Sequence, residues 1–210
     1  MLLLTAITSL CVTAQTKLTV TQTNTGSVRA GDALPLTITL SGSAGQNVAG
    51  TQWSLNSPIG FVWTPTVGAA GVAGSKNIYC GLVASAFTCL VVGMNVNVVN
   101  DGVVGLLATT VPINQPIGNL TFTLTSTLSA SKDGFAVVTT ASAPLTIPIL
   151  PSLCDPNGDA KIDSTDFNLA IAQATGASTC TTDTDGDGKC TVNDVLRVAM
   201  AANGGACKIN

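Results

Sequence analysis

Short apolar runs alternate with polar residues through most of the chain, from Lys17 to about Thr146. In LTITLS and LTFTLT every second residue is apolar, which is typical of a strand with one buried and one solvated face. Similar runs, separated by turns containing Gly, Asp or Asn, are LTVTQT, TQWSL, NIYC, CLVVGMNV and VVGLLATT. No pattern beyond turn length indicates a helix in this region. About 130 residues of this kind predict one β-sandwich with a sizeable core.

The hydrophobic period changes near the C-terminus. Apolar residues recur at helical spacing in two segments, one from Phe167 to Ile171 and one from Val195 to Ala199. A glycine follows each segment, as at many helix ends. Prolines punctuate the junction with the strands: Pro144, Pro148 and Pro151. We therefore predict a sandwich over residues 15–146, a semi-rigid Pro-rich linker over 147–153 and a small helical module over 154–210.

One twelve-residue pattern precedes each predicted helix: DPNGDAKIDSTD at 155–166 (loop 1) and DTDGDGKCTVND at 183–194 (loop 2). Oxygen side chains recur at positions 1, 3, 5, 9 and 12, which is the ligand spacing of a calcium loop, and position 7 adds a backbone carbonyl. The predicted ligands of loop 1 are Asp155, Asn157, Asp159, Asp163, Asp166 and the carbonyl of Lys161. Those of loop 2 are Asp183, Asp185, Asp187, Thr191, Asp194 and the carbonyl of Lys189.

The spacing suits calcium because a hard cation takes about six to eight oxygen ligands, and alternate residues of a tight loop point inward. The alternative is a pair of acidic surface turns, since Asp, Asn and Gly also form turns. The repetition argues against this alternative, because every acidic residue except Asp32, Asp101 and Asp133 lies in the two loops. Two features differ from a helix–loop–helix hand: position 12 is Asp rather than Glu, and Pro148 and Pro151 precede loop 1 where a helix would lie.

A duplicated loop–helix unit with Asp at position 12 closely resembles the type I dockerin module. This resemblance covers residues 154–210 and implies two calcium ions and a protein partner. It also implies that positions 10 and 11 of each loop face the partner: Ser164 and Thr165, Val192 and Asn193. An alternative role for Ser164 or Thr165 is to cap the helix that follows. Because the two loops differ at these positions, we expect their faces to bind one partner unequally.

The strand region resembles the cohesin domain, the partner of dockerins. The resemblance rests on the order of four segments: SVRAGDALPLTITLSG, NVAGTQWSLNSP, NDGVVGLLATTVP and GNLTFTLTST. Two departures are Asn56-Ser57-Pro58, where the family usually has Tyr-Asp-Pro, and the segment between Cys80 and Cys89. Together the two resemblances imply a mostly β, jelly-roll-type sandwich followed by a small all-α module with two calcium loops. They imply cellulosome-like assembly outside a bacterial cell or at its surface.

Residues Leu2 to Ala14 form a short apolar run that ends in Val12-Thr13-Ala14, which is typical of a cleaved export signal. The positively charged segment that usually precedes such a run is absent, which leaves the true start codon open. The alternative is a first β-strand. The run is too short for a membrane span, and nothing later reaches about 18 apolar residues. We predict a signal peptide over 1–14 and a secreted protein.

Cleavage there removes Cys11 and leaves six cysteines, which in an exported protein are typical of disulfides. We expect Cys80 and Cys89 to staple a hairpin. The other four are Cys154, Cys180, Cys190 and Cys207, and the sequence permits three pairings among them. An antiparallel arrangement of the two helices favours the pairs Cys154–Cys207 and Cys180–Cys190.

The composition argues against several classes of function. The chain has no His and no Glu, which removes most acid–base catalysis at neutral pH as well as the usual zinc sites. The three acids outside the loops each lie in a predicted turn beside glycine, so we expect no enzyme. A net charge of -3 with no basic run argues against nucleic acid.

We predict a secreted, calcium-binding, non-catalytic protein of extracellular assembly. Its expected partner is a protein that carries a cohesin or dockerin module, or a second copy of the chain bound head-to-tail. A carbohydrate-binding protein with a calcium-stabilised tail is the alternative, and its candidate stacking rings, which core packing also explains, are Trp53, Phe61, Trp63 and Tyr79. A structural subunit of an extracellular filament or matrix is a third interpretation.

Overall fold

Strands dominate the part of the chain that the computed structural model describes, residues 15–24, 26–112, 115–205 and 207. The predicted signal peptide over 1–14 lies outside the described residues. The strands are β1 (Thr16–Gln22), β2 (Val28–Arg29), β3 (Ala33–Ser41), β4 (Val48–Asn56), β5 (Thr64–Val67), β6 (Asn77–Val83), β7 (Ala86–Val92), β8 (Gly102–Thr110), β9 (Gly118–Ser131), β10 (Ala136–Val137), β11 (Thr139–Ala141) and β12 (Leu145–Leu150). The helices are α1 (Ala69–Ala73), α2 (Ser164–Ala174) and α3 (Val192–Ala202).

The strands form two sheets. One has the order β11-β1-β3-β8-β5, and the other has the order β2-β12-β9-β4-β7-β6 with β10 paired to β9. Most neighbouring strands are antiparallel, while β1 runs parallel to β11 and β12 runs parallel to β2. The two sheets share one hydrophobic core, as expected of a sandwich.

Alternation builds this core. In β3 the residues Leu34, Leu36, Ile38 and Leu40 are buried, while the residues between them are not. The sheets approach closely at Gly105 of β8, where a Cβ atom would lie 3.0 Å from the Trp53 ring of the opposite sheet. A Cβ atom there would crowd the indole, so the absence of a side chain at Gly105 lets the ring lie close to β8. The prediction of a mostly β sandwich is confirmed.

The hairpin of β6 and β7 carries the Cys80–Cys89 disulfide. The two cysteines are direct cross-strand neighbours, with their Cα atoms 4.1 Å apart. The bond lies across the edge of the sheet because β6 is its outermost strand. This is the hairpin staple that the sequence predicts.

The predicted linker over 147–153 is wrong in length. Strand β12 continues to Leu150, and it pairs with β9 and β2. Ile147 and Ile149 are buried in the core, so their alternation outweighs the proline between them. Pro148 is tolerated because it lies where β12 has one registered neighbour, Asn119 of β9. The sandwich therefore extends to Leu150 and leaves residues 151–153 as the connection.

A second difference from the sequence prediction is helix α1 inside the strand region. It has five residues, and its Gly71 packs so closely that a Cβ atom would lie 2.6 Å from a methyl group of Val67. Small residues carry little periodic signal, which is why the hydrophobic pattern does not indicate this turn of helix.

The C-terminal region is built from α2 and α3, which pack on a small core. Its buried apolar residues are Cys154, Ala170, Val198 and Ala201. Disulfides join Cys154 to Cys207 and Cys180 to Cys190, the pairing that an antiparallel arrangement favours. The region lies near the end of the sandwich, where Arg29 Nε donates to the Pro151 carbonyl at 2.9 Å. Among the described residues, no helix is long and apolar enough to cross a membrane.

Candidate metal centre

Both loops enter their helices through the same capping box. Asp163 is the N-cap of α2, and its carboxylate accepts from Thr165 N at 2.7 Å while Asp166 accepts from Asp163 N at 2.9 Å. Thr191 is the N-cap of α3 and is paired with Asp194 in the same way. Such a box satisfies backbone N–H groups that a helix start leaves open.

This geometry corrects the alternative of capping by Ser164 or Thr165. The cap is Asp163, because position 9 and not position 10 or 11 has the extended backbone of an N-cap. Ser164 and Thr165 are exposed residues in the first turn of α2. Their side chains are therefore not needed to start the helix.

Loop 1 brings three carboxylates together. Oxygen atoms of Asp155, Asp159 and Asp166 lie within 4.8 Å of one another. Asp155 is buried, and its two oxygens accept from Gly158 N at 2.8 Å and Ala160 N at 2.9 Å. The predicted ligands Asn157 and Lys161 lie on the exposed rim, where Asn157 Oδ1 accepts from Asp159 N and Lys161 N donates to Asp159.

One oxygen of this cluster is buried without a partner. Asp166 is fully buried, its Oδ2 accepts from Asp163 N, and its Oδ1 has no hydrogen-bond partner. Among the described residues, the other buried side-chain polar atoms without a partner are the indole nitrogens of Trp53 and Trp63. An unpaired carboxylate oxygen is costly to bury, and it is the arrangement that a bound cation would relieve.

The pKa of Asp166 reflects its burial beside other carboxylates. Burial raises the pKa of Asp166 above its usual range, and the nearby charges of Asp155 and Asp159 add to the rise, although the backbone hydrogen bond from Asp163 and the nearby backbone N–H of Asn157 oppose it. The Asp163 carboxylate differs, because the hydrogen bonds from Thr165 lower its pKa and the charge of Lys161 adds a smaller effect. Asp163 thus caps α2, whereas Asp166 is a carboxylate whose negative charge is disfavoured by its surroundings.

Loop 2 brings together a different trio. Oxygen atoms of Asp183, Asp185 and Asp187 lie within 4.8 Å of one another. Asp183 accepts from Gly186 N at 2.8 Å and Gly188 N at 2.9 Å, and Lys189 N donates to Asp187 at 2.8 Å. These are the hydrogen bonds of loop 1 at equivalent positions, so both loops wind in the same way.

The two loops differ in the hydrogen bonding of the carboxylate at position 12. Asp194 Oδ1 accepts from both the backbone N and the hydroxyl of Thr184, each at 2.8 Å, and Oδ2 accepts from the backbone N and hydroxyl of Thr191 at 2.7 and 3.2 Å. Burial by itself would raise the pKa of Asp194, but these hydrogen bonds outweigh it and hold the pKa below its usual value. Asp194 is therefore satisfied by the protein.

Loop 2 is also held from both helices. Gln173 of α2 is buried, and its Oε1 accepts from the backbone N of Thr181 at 2.7 Å and of Thr182 at 2.9 Å. Arg197 of α3 donates to the Thr184 carbonyl at 2.7 Å. The start of loop 2 is thus positioned by side chains from the rest of the region.

The two helices present different faces to solvent. On α3, Val192, Leu196 and Met200 follow one another at intervals of four residues and are 66%, 56% and 49% exposed. The equivalent positions on α2 are Ser164, Asn168 and Ala172. We call the three α3 residues the α3 row. The apolar pattern that predicts α3 includes Leu196, and the spacing of four places it on one face with Val192 and Met200, but the exposure of that face is seen only in the structure.

The sandwich has an apolar feature of its own. A shallow depression of about 150 Å³ lies on β4, β7 and β9. A cross-strand row of four residues runs through it, of which the last three line the depression: Tyr79, Leu90, Gln52 and Leu128. Tyr79 is 60% exposed and Leu128 is exposed as well. We call this surface the sheet depression.

The remaining candidate residues have structural roles. Trp53 and Trp63 are buried, and Phe61 stacks on Trp63 with ring centroids 5.7 Å apart. Of the four candidate sugar-stacking rings, only Tyr79 is exposed.

The three acids of the sandwich stabilise turns. Asp32 accepts from Arg29 N, and Asp101 accepts from the backbone N–H groups of Gly42 and Ser43, which together with a Ser43 side-chain hydrogen bond lower its pKa. Asp133 pairs with Lys132 at 3.1 Å. These contacts account for the Asp residues beside glycine without a catalytic role.

The fold is similar to solved cohesin modules. A cohesin in a type I cohesin–dockerin complex from Clostridium thermocellum matches with a TM-score of 0.54 and 14% identity, and covers 65% of this chain and 99% of its own. The cohesin module of a family 33 glycoside hydrolase from Clostridium perfringens matches with 0.52, 15% identity, and coverages of 64% and 97%. A non-cellulosomal cohesin from Archaeoglobus fulgidus matches with 0.50, 14% identity, and coverages of 65% and 92%.

No protein-family model matches the chain, and no curated protein matches its sequence. At identities this low, the similarity to cohesin modules establishes a shared fold.

Proposed function

We propose that this chain is a secreted, calcium-binding, non-catalytic protein that assembles with other proteins outside the cell through a dockerin-like module at residues 154–210. The observation that carries the proposal is the α3 row, a line of exposed apolar side chains directly after loop 2. Three disulfides and the cohesin-like sandwich support an extracellular setting.

Calcium would be held by the carboxylates of each loop. The donor set fits, because Asp155, Asp159 and the unpaired Asp166 converge in loop 1 and Asp183, Asp185 and Asp187 converge in loop 2. The remaining predicted oxygens, from the loop rims and the position 7 carbonyls, would complete the coordination. When bound, the ion supplies the positive charge that offsets repulsion among these carboxylates.

The C-terminal core is small, so calcium would also stabilise the fold of this region. Four buried apolar residues, with four partly buried ones packed against them, are too small a core to stabilise α2 and α3 by themselves. The Cys154–Cys207 disulfide closes a loop with a sequence separation of 53. A closure of that size contributes about 4 kcal/mol in the chain-entropy picture. Calcium would then fix the loops and, through their capping boxes, the first turns of both helices.

The α3 row suits a protein partner. Fully burying side chains of this size contributes roughly 1.5 to 3 kcal/mol each, so the row could anchor a specific complex. Val192 and Asn193, at positions 10 and 11 of loop 2, lie in the first turn of α3. The corresponding Ser164 and Thr165 are polar, and the row at the equivalent positions of α2 carries no large apolar side chain. We infer that α3 makes the principal contact and that α2 contributes little.

The partner would be another extracellular protein that carries a cohesin or dockerin module. Support comes from the first neighbour, which is described as part of a type I cohesin–dockerin complex. A second copy of the chain is one form of such a partner, with its sheet depression receiving the α3 row. That contact would be heterologous and would extend into rings or chains.

The carbohydrate-binding alternative has less support. A sugar platform needs several exposed rings, and among its four candidates only Tyr79 is exposed. This alternative nevertheless makes a different prediction: glycan binding should not depend on α3.

The proposal is tested by capture from the native secretome with immobilised full-length mature chain, in calcium and in chelator. Leu196→Asp places a charge in the α3 row, and Asn168→Asp is the matched control at the equivalent position of α2. We expect a discrete protein that is retained by wild type and by Asn168→Asp, and is lost with chelator and with Leu196→Asp. Capture that is equal in all four arms would contradict the proposal, and retention of polysaccharide alone would favour the alternative.

A further inference from the structure

Position 2 is the site where the two loops differ most in chemistry. It is Pro156 in loop 1 and Thr184 in loop 2. Proline has neither a backbone N–H nor a hydroxyl, whereas threonine has both. The residue is not among the predicted ligands of either loop, yet it decides the state of the carboxylate at position 12.

In loop 2, Thr184 donates twice to that carboxylate. Its backbone N and its hydroxyl both reach Asp194 Oδ1 at 2.8 Å. Thr191 donates twice to Oδ2, so each oxygen of Asp194 accepts two hydrogen bonds. Hydrogen bonds to an ionised group are stronger than those between neutral groups, so this arrangement is stable without an ion.

In loop 1, Pro156 cannot make either contact. Asp166 keeps the bond from Asp163 N to its Oδ2, and its Oδ1 remains buried and unpaired beside Asp155 and Asp159. An ion at loop 1 therefore gains a free carboxylate oxygen at no cost in protein hydrogen bonds. An ion at loop 2 must either do without Asp194 Oδ1 or replace the hydrogen bonds from Thr184.

Thr184 is held firmly in this role. The residue is almost completely buried, and Arg197 of α3 donates to its carbonyl at 2.7 Å. Gln173 fixes Thr181 and Thr182, the two residues directly before loop 2, by accepting from their backbone N–H groups. Thr184 therefore cannot turn away from Asp194 without disturbing α2 and α3.

We propose that Thr184 sets the calcium affinity of loop 2 below that of loop 1 by holding Asp194 in hydrogen bonds that compete with the ion. This inference rests on the proposed calcium function. It makes loop 1 the site that fills first and loop 2 the site that responds to calcium at higher concentration. Because α3 begins at loop 2 and carries the α3 row, partner binding should follow the filling of loop 2.

The test is a calorimetric calcium titration of the full-length mature chain with one loop isolated at a time. Asp155→Ala removes a loop 1 ligand, so the remaining heat reports loop 2. In that background, Thr184→Val keeps the branched shape and deletes the competing hydroxyl. We expect the Kd of loop 2 to fall about tenfold, the size of effect that one hydrogen bond to a charged group can produce.

Two further variants keep the test decisive. Thr182→Val makes the same change at a neighbouring buried threonine whose hydroxyl donates to Gln173 and not to Asp194, so it should not strengthen binding. Pro156→Thr, in an Asp183→Ala background that isolates loop 1, introduces the donors of loop 2 and should raise the Kd of loop 1.

The outcomes separate this inference from the function on which it rests. Unchanged or weaker binding in Thr184→Val, with no effect of Pro156→Thr, would overturn the role of Thr184 while leaving the calcium sites intact. An equal gain in Thr182→Val would overturn it too, because general loosening of the loop would then be the cause. Absence of calcium heat from the wild-type chain would overturn both the inference and the proposed function.

Discussion

The two loop–helix units of the C-terminal region have the same frame and different surfaces. Each winds its loop with the same backbone hydrogen bonds and starts its helix with a capping box between positions 9 and 12. The first unit holds an unpaired carboxylate oxygen at Asp166 and has Ser164, Asn168 and Ala172 at the positions of the α3 row. The second satisfies Asp194 internally and presents the α3 row. The unpaired carboxylate oxygen and the exposed apolar row thus lie in different units.

This comparison shows that the repeated ligand motif determines the shape of the loop. It does not determine the hydrogen bonding of position 12 or the solvent-exposed side chains of the helix. Residues at positions 1, 3, 5, 9 and 12 build the loop, and those positions are nearly the same in both units. Position 2 and the solvent face of the helix lie outside the motif, and there the units differ in the hydrogen bonds to position 12 and in the exposed apolar side chains. Duplication therefore leaves each copy free to specialise.

The largest effect is expected from removing the first ligand of each loop. Asp155→Ala should abolish calcium binding at loop 1 and Asp183→Ala at loop 2, each weakening its own site by at least about 100-fold because ligand charge sets affinity. Calorimetry should show one remaining site in each single variant and none in the double variant. Unchanged binding in the double variant would remove the basis of the comparison.

A charge in the α3 row should have the next largest effect. Leu196→Asp should weaken binding of the captured partner about 100-fold, because it places a charge where an apolar anchor is buried. Asn168→Asp should change the affinity less than about threefold, since an exposed charge at the rim contributes little. Surface plasmon resonance on both variants in calcium measures the difference, and calorimetry should show wild-type calcium affinity in both. Equal losses would mean that the two helices contribute equally.

A smaller effect is expected at position 11. Asn193→Trp should weaken partner binding roughly tenfold, whereas Thr165→Trp on α2 should weaken it only about twofold, because crowding matters where the partner is in contact. Neither residue is the cap of its helix, so calcium affinity should stay the same. The same binding assay tests this pair. A stronger loss in Thr165→Trp would reverse the assignment of the docking face.

The sequence predicts much of this arrangement because local patterns determine it. Alternation in β3 predicts a strand with one buried face, and the spacing of the Asp residues predicts that carboxylates meet in each loop. The structure contains both features. The end of the sandwich was missed because Pro148 indicates a linker, while the burial of Ile147 and Ile149 depends on partners far along the chain.

The state of position 12 could not be predicted from spacing. The contact between Thr184 and Asp194 joins residues at opposite ends of loop 2 and depends on how the loop closes against α3. A sequence signal does exist, since Pro156 cannot donate and Thr184 can. Its consequence appears only when the buried carboxylates are compared for their hydrogen-bond partners.

The most direct test of unequal calcium sites is a two-dimensional ¹H–¹⁵N NMR titration of the full-length mature chain with calcium. The amides of Gly158 in loop 1 and of Gly186 and Gly188 in loop 2 are separate reporters, because each donates to the first aspartate of its own loop. We predict that the Gly158 signal reaches its calcium-bound position at lower calcium than the signals of Gly186 and Gly188. Saturation of loop 2 first, or no change at any of the three glycines, would contradict the account.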